Sequence, residues 1–253
     1  MINVKNISFS HNKRTFISDL CITFPDSSLT AILGENGSGK TTLLSLMSKT
    51  LTPSSGKIET DGSDISLLGR DELARRLSVF PQGRPTPDMT ALELVTMGRY
   101  PYTKNKLSVP RRDIDIAISA LVRAGAEEFS ARRLSALSYG ERQRVYLAML
   151  LAQDTQNVLL DEPTNYLDVS AKFHTMELLT SLKNEGKCVV TVLHDITLAL
   201  TYADRIAVMK NGKVEAFGTP ESIYESKCSE HLLGVKINRF KSDGKPVYVV
   251  EPK

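Results

Sequence analysis

"ILGENGSGKTT", Ile32 to Thr42, sets Gly34, Gly39, Lys40 and Thr41 in the order G-x-x-x-x-G-K-[ST], between an apolar run and the start of a helix. Glycines at these places let the chain curl so that its N–H groups, together with a helix N-terminus, face phosphate oxygens. Gly34, Glu35, Asn36, Gly37, Ser38 and Gly39 therefore read as a cradle for a nucleoside triphosphate. Lys40 falls at the β- and γ-phosphates, Thr41 at Mg²⁺ through its hydroxyl, and Thr42 at the α-phosphate. A glycine turn that only caps a helix shares the composition but has no reason to keep this spacing.

Outward from that loop, "NVLLDEP" is a short apolar run that ends in Asp161 and Glu162. Ligands of open α/β sheets bind beyond the carboxyl ends of the strands, so both carboxylates are placed to meet the phosphates. Asp161 fits an outer contact to Mg²⁺, and Glu162 fits the residue that polarises an attacking water. Gln82 follows "LSVFP" and His194 follows "CVVTVL", so each stands at a strand end and can reach the same crevice. A lone histidine there is more often structural, and it gains meaning only from its company.

The surrounding pattern is α/β. "INVKNISF", "LCITF" and "LTAIL" alternate as strands. Residues from about 88 to 153 lack strand patterning and read as helices inserted into the core, among them "DIDIAISALVRAG" and the run after Ser138. "NVLLD" and "CVVTVL" flank a helix from about Asp168 to Asn184, as in a strand-helix-strand crossover. "RIAVMKNGKVEAFG" reads as a hairpin around Asn211-Gly212, and a tail from Thr219 ends in the strand-like "PVYVV". The expected division is a nucleotide-binding core with its β subdomain over 1–87 and 154–218, a helical part over 88–153, and a tail over 219–253.

The 253 residues, 41% hydrophobic and 24% charged, suffice for a sizeable core and exclude disordered and fibrous classes. A net charge of +3 gives no ground for nucleic acid as a partner, although basic residues gather over Arg70–Arg84 and Arg99–Arg112. Cys21, Cys188 and Cys228 form no metal-ligand spacing, and an odd count suits a reducing compartment. The longest apolar run, Val145 to Ala152, is far short of the ~20 residues that cross a bilayer. A membrane role therefore has to come through a partner.

Taken in order, "GENGSGKTT", "FPQ", "LSYGERQ", "VLLDEP", "TNYLD" and "LHD" resemble the motifs of the ATP-binding-cassette ATPases along nearly the whole chain. The resemblance implies a P-loop, RecA-like core with an antiparallel β subdomain and an inserted helical subdomain. It implies ATP and Mg²⁺ as cofactors, with Gln82, Glu162 and His194 catalytic and with Thr41, Gln82 and Asp161 at the metal. It further implies a head-to-tail homodimer in which Ser138, Tyr139, Gly140 and Glu141 of one copy face the γ-phosphate held by the other. Asp168 lines the seam, and His11 takes the place of the aromatic residue that stacks on adenine. Ser138-x-x-Glu141 is also a capping box, and both readings can hold at once. Several departures from the family pattern stand out: Tyr139 where a second glycine is common, Glu141 where glutamine is common, Asn157 opening the run before Asp161, and "FPDSS" without its customary glycine.

"TALELVTMGRYPY" and the ending "GVKINRFKSDGKPVYVVEP" resemble the subgroup that serves importers of iron-siderophore complexes, haem and cobalamin. That implies integral membrane permease subunits as partners, with Tyr100 and Tyr102 offering them aromatic surface. It implies indirectly a substrate-binding protein, and a peripheral location on the cytoplasmic face of a bacterial inner membrane. The alternative is a soluble cassette ATPase with a scaffold role such as iron-sulfur assembly. A translation or repair cassette would carry a second cassette or a long coiled coil, and a P-loop kinase would leave "LSYGERQ" unexplained.

Overall fold

The computed structural model describes residues 1–12, 14–80, 83, 86–103, 109–227, 234–242 and 245–252. The chain opens with β1 (Ile2–His11) and β2 (Arg14–Phe24), paired antiparallel so that Ile2, Val4 and Ile7 lie beside Phe24, Ile22 and Leu20, all buried. β3 (Ser28–Gly34) then leads through the glycine-rich loop into α1 (Lys40–Met47), followed by β4 (Ser55–Thr60), the short β5 (Ser63–Asp64), α2 (Arg70–Arg76) and β6 (Leu77–Phe80). The helical stretch comprises α3 (Ala91–Met97), α4 (Tyr100–Thr103), α5 (Arg111–Arg123) and α6 (Tyr139–Gln153). After it come β7 (Asn157–Asp161), α7 (Val169–Asn184), β8 (Cys188–Val192) and α8 (Ile196–Tyr202). The chain closes with β9 (Arg205–Lys210), β10 (Lys213–Gly218), α9 (Pro220–Glu225), β11 (Val235–Ser242) and β12 (Lys245–Pro252).

Among the described residues the strands form three sheets. An antiparallel sheet runs β2-β1-β4-β5, and a second sheet runs β10-β9-β3-β8-β7-β6. In the second, β3, β6, β7, β8 and β9 are parallel, and β10 joins antiparallel through the Asn211-Gly212 turn. Every residue of β7 and β8 is buried, as expected where both faces of a parallel sheet are covered. The arrangement puts the carboxyl ends of β3, β7 and β8 side by side, and there the glycine loop, the two acids and His194 follow.

Two of the sequence departures find their reason here. Ser27 adopts φ 51°, so the turn into β3 does take the left-handed conformation that glycine favours, with serine in its place. Asn157 is fully buried, and its amide nitrogen shares its two hydrogens among Thr60 Oγ1, Asp61 Oδ2 and the Arg76 carbonyl, each at 3.0 Å, while its Oδ1 accepts from the Met1 amino group. Those bonds let a polar side chain open a buried strand.

Tyr100 and Tyr102 prove unlike each other. Tyr100 is 62% exposed. Tyr102 is half-buried, with the Arg99 guanidinium 4.1 Å from its ring centroid and its hydroxyl donating to the Gln153 carbonyl at 3.0 Å. Arg99 also donates to the Ala152 carbonyl at 2.8 Å, so the pair closes the carbonyl end of α6, and it is ion-paired with Asp113 of α5 at 3.0 Å. Arg99 and Asp113 are 8% and 6% exposed, so removing one leaves the other's charge buried. Arg99→Ala is therefore expected to cost about 3–5 kcal/mol and to lower the melting temperature by on the order of 10 °C, read by calorimetry.

The stretch after Thr219 is more than a tail. β11 and β12 form an antiparallel hairpin whose Ile237 and Tyr248 are buried in the core beside α8. Cys188 sits inside the parallel sheet, where burial pushes its thiol up to about 12, and Cys21 is exposed; Cys228 lies outside the described residues. Among the described residues no helix is long and apolar enough to cross a membrane.

Candidate active site

β3 delivers Gly34 into the loop between two parallel neighbours. A Cβ there would stand 2.4 Å from the Met209 carbonyl of β9 and 2.6 Å from Ser38 Oγ, so only glycine fits. α1 begins at Lys40 behind Gly39, with no side chain capping its first turn. Its free N–H groups and the positive end of its dipole therefore remain available to an anion. Ser38 Oγ is buried without a partner. Lys40, itself buried, turns its ammonium back onto the loop, donating to the carbonyls of Gly34 at 2.7 Å and Glu35 at 2.9 Å. Burial pulls its pKa down, against the opposing pull of the Glu162 and Asp161 carboxylates.

Asp161 ends β7 beside α1. Burial raises its pKa, while a hydrogen bond from the Thr41 hydroxyl works the other way, and its Oδ1 is buried with no partner. A hard divalent cation takes oxygen ligands and keeps several waters, so a free buried carboxylate oxygen next to a threonine hydroxyl fits Mg²⁺. Glu162 follows with φ 52°, an uncommon conformation for a residue with a side chain, and its N–H donates to the Val192 carbonyl at 3.2 Å. Its Oε1 lies 2.5 Å from His194 Nε2, and its Oε2 accepts from the Asn165 amide. β7 and β8 are in register with Asp161 opposite Val192, which brings Glu162 and His194 together just past the two strand ends.

The Ser138 segment is a capping box in full. Ser138 Oγ accepts from the Glu141 N–H at 3.3 Å, and Glu141 accepts from the Ser138 N–H at 2.6 Å, which holds the Glu141 pKa below the ordinary range. Gly140 stands beside Leu167, where an added Cβ would meet only its Cδ2 at 3.6 Å. Tyr139 is 41% exposed and sets its ring edgewise to Tyr166, 5.6 Å between centroids. Asp168 accepts from the Ala171 N–H at 2.8 Å and so caps α7. His11 is exposed at the end of β1, while the carbonyl of nearby Phe16 packs against Gly39 and Gly212. Gln82 lies outside the described residues. Two residues that motif spacing did not single out join the site: Asn165 on Glu162, and Gln143, whose buried amide donates to the Pro163 carbonyl. An asparagine three residues after the acid, in a tight turn, is the signal that could have found the first.

Residues 17–165 match the family described as ABC transporter. The chain belongs to that family. Among its ABC relatives, the petrobactin import ATP-binding protein FpuC of Bacillus anthracis is 36% identical over 98% of this chain and 92% of its own. The ferric enterobactin transport ATP-binding protein FepC of Escherichia coli (strain K12) is 36% identical over 92% of this chain and 86% of its own. A dimeric ATP-binding cassette solved in a post-hydrolysis state with ADP and Pi superposes with a TM-score of 0.77, at 27% identity, over 87% of this chain and 99% of that one. The ABC cassette fold, with its antiparallel β subdomain and helical part, binds ATP, and this chain is an ATPase.

Proposed function

We propose that the chain is the ATPase subunit of an importer of ferric siderophores, working as a head-to-tail homodimer on the cytoplasmic face of a bacterial inner membrane. The observation that carries the hydrolytic part is the cluster at the sheet's carboxyl edge. There Lys40 of the glycine loop, the unpartnered Asp161 Oδ1 and the Glu162–His194 pair stand beside one another. The cargo follows from the likeness to proteins named for petrobactin and ferric enterobactin, which covers more than nine-tenths of this chain.

In this reading the loop from Gly34 to Gly39, with Lys40 and Thr42, binds the phosphates. Thr41, Asp161 and Gln82 would hold Mg²⁺, which supplies charge neutralisation on the β- and γ-phosphates. Glu162 accepts the proton of the attacking water, and His194 donates toward the γ-phosphate while steadying Glu162. These residues contribute position and charge rather than covalent chemistry. Ser138, Tyr139, Gly140 and Glu141 complete the site of the second copy, with Asp168 at the seam and His11 beside the base. Residues 88–153 are the inserted helical part, and 1–87 with 154–218 are the nucleotide-binding core.

An apolar groove of about 370 Å³ lined by Leu92, Met97, Tyr100, Val109 and Ile114 suits a permease helix. Met97 and Tyr100 are more than half exposed there, as a surface awaiting a partner would be. Through that permease the cassette serves a substrate-binding protein that it does not touch.

In cells lacking this chain, uptake of labelled ferric siderophore is expected to be lost, to return with the wild type and to stay lost with Lys40→Ala. Uptake of haem or cobalamin alone would replace the cargo assignment. Purification without any multi-span membrane protein, with iron uptake intact, would favour the soluble scaffold reading.

A further inference from the structure

Both oxygens of the Glu162 carboxylate are engaged by the same chain, Oε1 by His194 and Oε2 by Asn165. The side chain is only 10% exposed, so protein contacts rather than bulk water set its orientation. A carboxylate's terminal torsion is broad, and it takes its direction from such donors. Asn165 sits in a sharp turn, its N–H donating to the Glu162 carbonyl at 3.3 Å, and Glu162 at the start of that turn and Tyr166 just after it have φ of 52° and 60°. Both left-handed conformations belong to residues with side chains, so the surroundings must hold the loop.

Those surroundings are α6. The Tyr139 ring meets Tyr166 at 82° between ring planes, and Gln143 donates to the Pro163 carbonyl. The helix that presents Ser138 thus grips, at two points, the segment that carries Asn165. Tyr166 is 86% exposed, and the Tyr139 ring meets it edge-on at 5.6 Å between centroids.

We propose that Asn165 is a positioning residue for the Glu162 carboxylate, and that the Tyr139–Tyr166 contact sets its place, so that the aim of the base follows the position of the Ser138 helix. This rests on Glu162 being the base. It gives Tyr139 a task that glycine could not perform, since glycine has no ring to hold Tyr166. In a dimer, engagement of Ser138 at one nucleotide would then bear on the carboxylate at the other.

The test is steady-state hydrolysis of Mg·ATP by the full chain, with KM and melting temperature read alongside. Asn165→Ala is expected to lower kcat about ten- to hundred-fold while KM stays within about two-fold, the pattern of a misaimed group rather than of lost substrate binding. Asn165→Asp keeps the size and turn preference of asparagine but sets a carboxylate against a carboxylate, and its kcat is expected to fall at least as far. Wild-type kcat in Asn165→Asp would mean that Asn165 only shapes the turn, and it would overturn the proposal. Tyr139→Ala and Tyr166→Ala should each lower kcat about three- to ten-fold, and together no further than the larger single loss. Additive losses would show that the two rings do not act through their contact and would overturn the tyrosine part of the proposal. If Glu162→Gln itself turned over at the wild-type rate, the base assignment would fail instead, so the two failures are told apart.

Discussion

Glu162→Gln is expected to abolish hydrolysis and to leave ATP bound. The amide keeps the shape of the side chain, but it cannot take a proton from water, and loss of a positioned general base costs about 10²–10⁴ in rate. Binding rests on other groups: the loop N–H groups, the Lys40 ammonium now folded onto Gly34 and Glu35, and the first turn of α1. Removing a negative charge near the phosphates relieves repulsion, so affinity is expected to hold or rise. Phosphate release and binding of a fluorescent ATP analogue read the two quantities separately. Turnover within ten-fold of the wild type would show that another group activates the water.

The second large effect is expected at Ser138. Ser138→Arg removes the Oγ that accepts from Glu141 N–H, a loss of about 0.5–2 kcal/mol, or a few degrees of melting temperature. It also sets a long cation where the proposed dimer places the partner's γ-phosphate. Hydrolysis is expected to fall more than about 100-fold, the scale on which loss of a placed donor acts, with ATP binding to the single chain unchanged. Ser138→Ala separates the two causes, since it loses the same cap and a hydrogen-bonding hydroxyl but adds no bulk. It should match the arginine variant in stability and exceed it clearly in turnover. Equal loss of single-chain ATP binding in Ser138→Arg would mean that Ser138 serves its own chain's nucleotide.

The parts of this site that were legible in sequence are local ones. The glycine loop is dictated by close backbone approach at Gly34, and the capping box by residues three apart. The Asn211-Gly212 turn takes φ of 50° and 76°, as a two-residue hairpin demands. β4 was not legible, because "SGKIET" buries a single aliphatic residue, Ile58, and pairs with β1 some fifty residues away. Nor could the pattern separate Tyr100 from Tyr102, whose difference lies in a helix end supplied from elsewhere. Glu162 and His194 stand on different strands, and only strand order brings them together. The left-handed turn after Glu162 is held by α6, so Asn165 acquires its place from tertiary packing rather than from its neighbours in sequence.

In the proposed dimer each nucleotide site is shared between two copies, with the Ser138 helix of one copy completing the loop of the other. Light scattering on the Glu162→Gln chain with Mg·ATP tests it most directly. The expected result is a particle of twice the 28.0 kDa chain mass, and the single chain mass once Ser138→Arg is added, with nucleotide still bound in both. A Glu162→Gln chain that holds ATP yet stays at single mass, or a double variant that dimerises equally well, would contradict it.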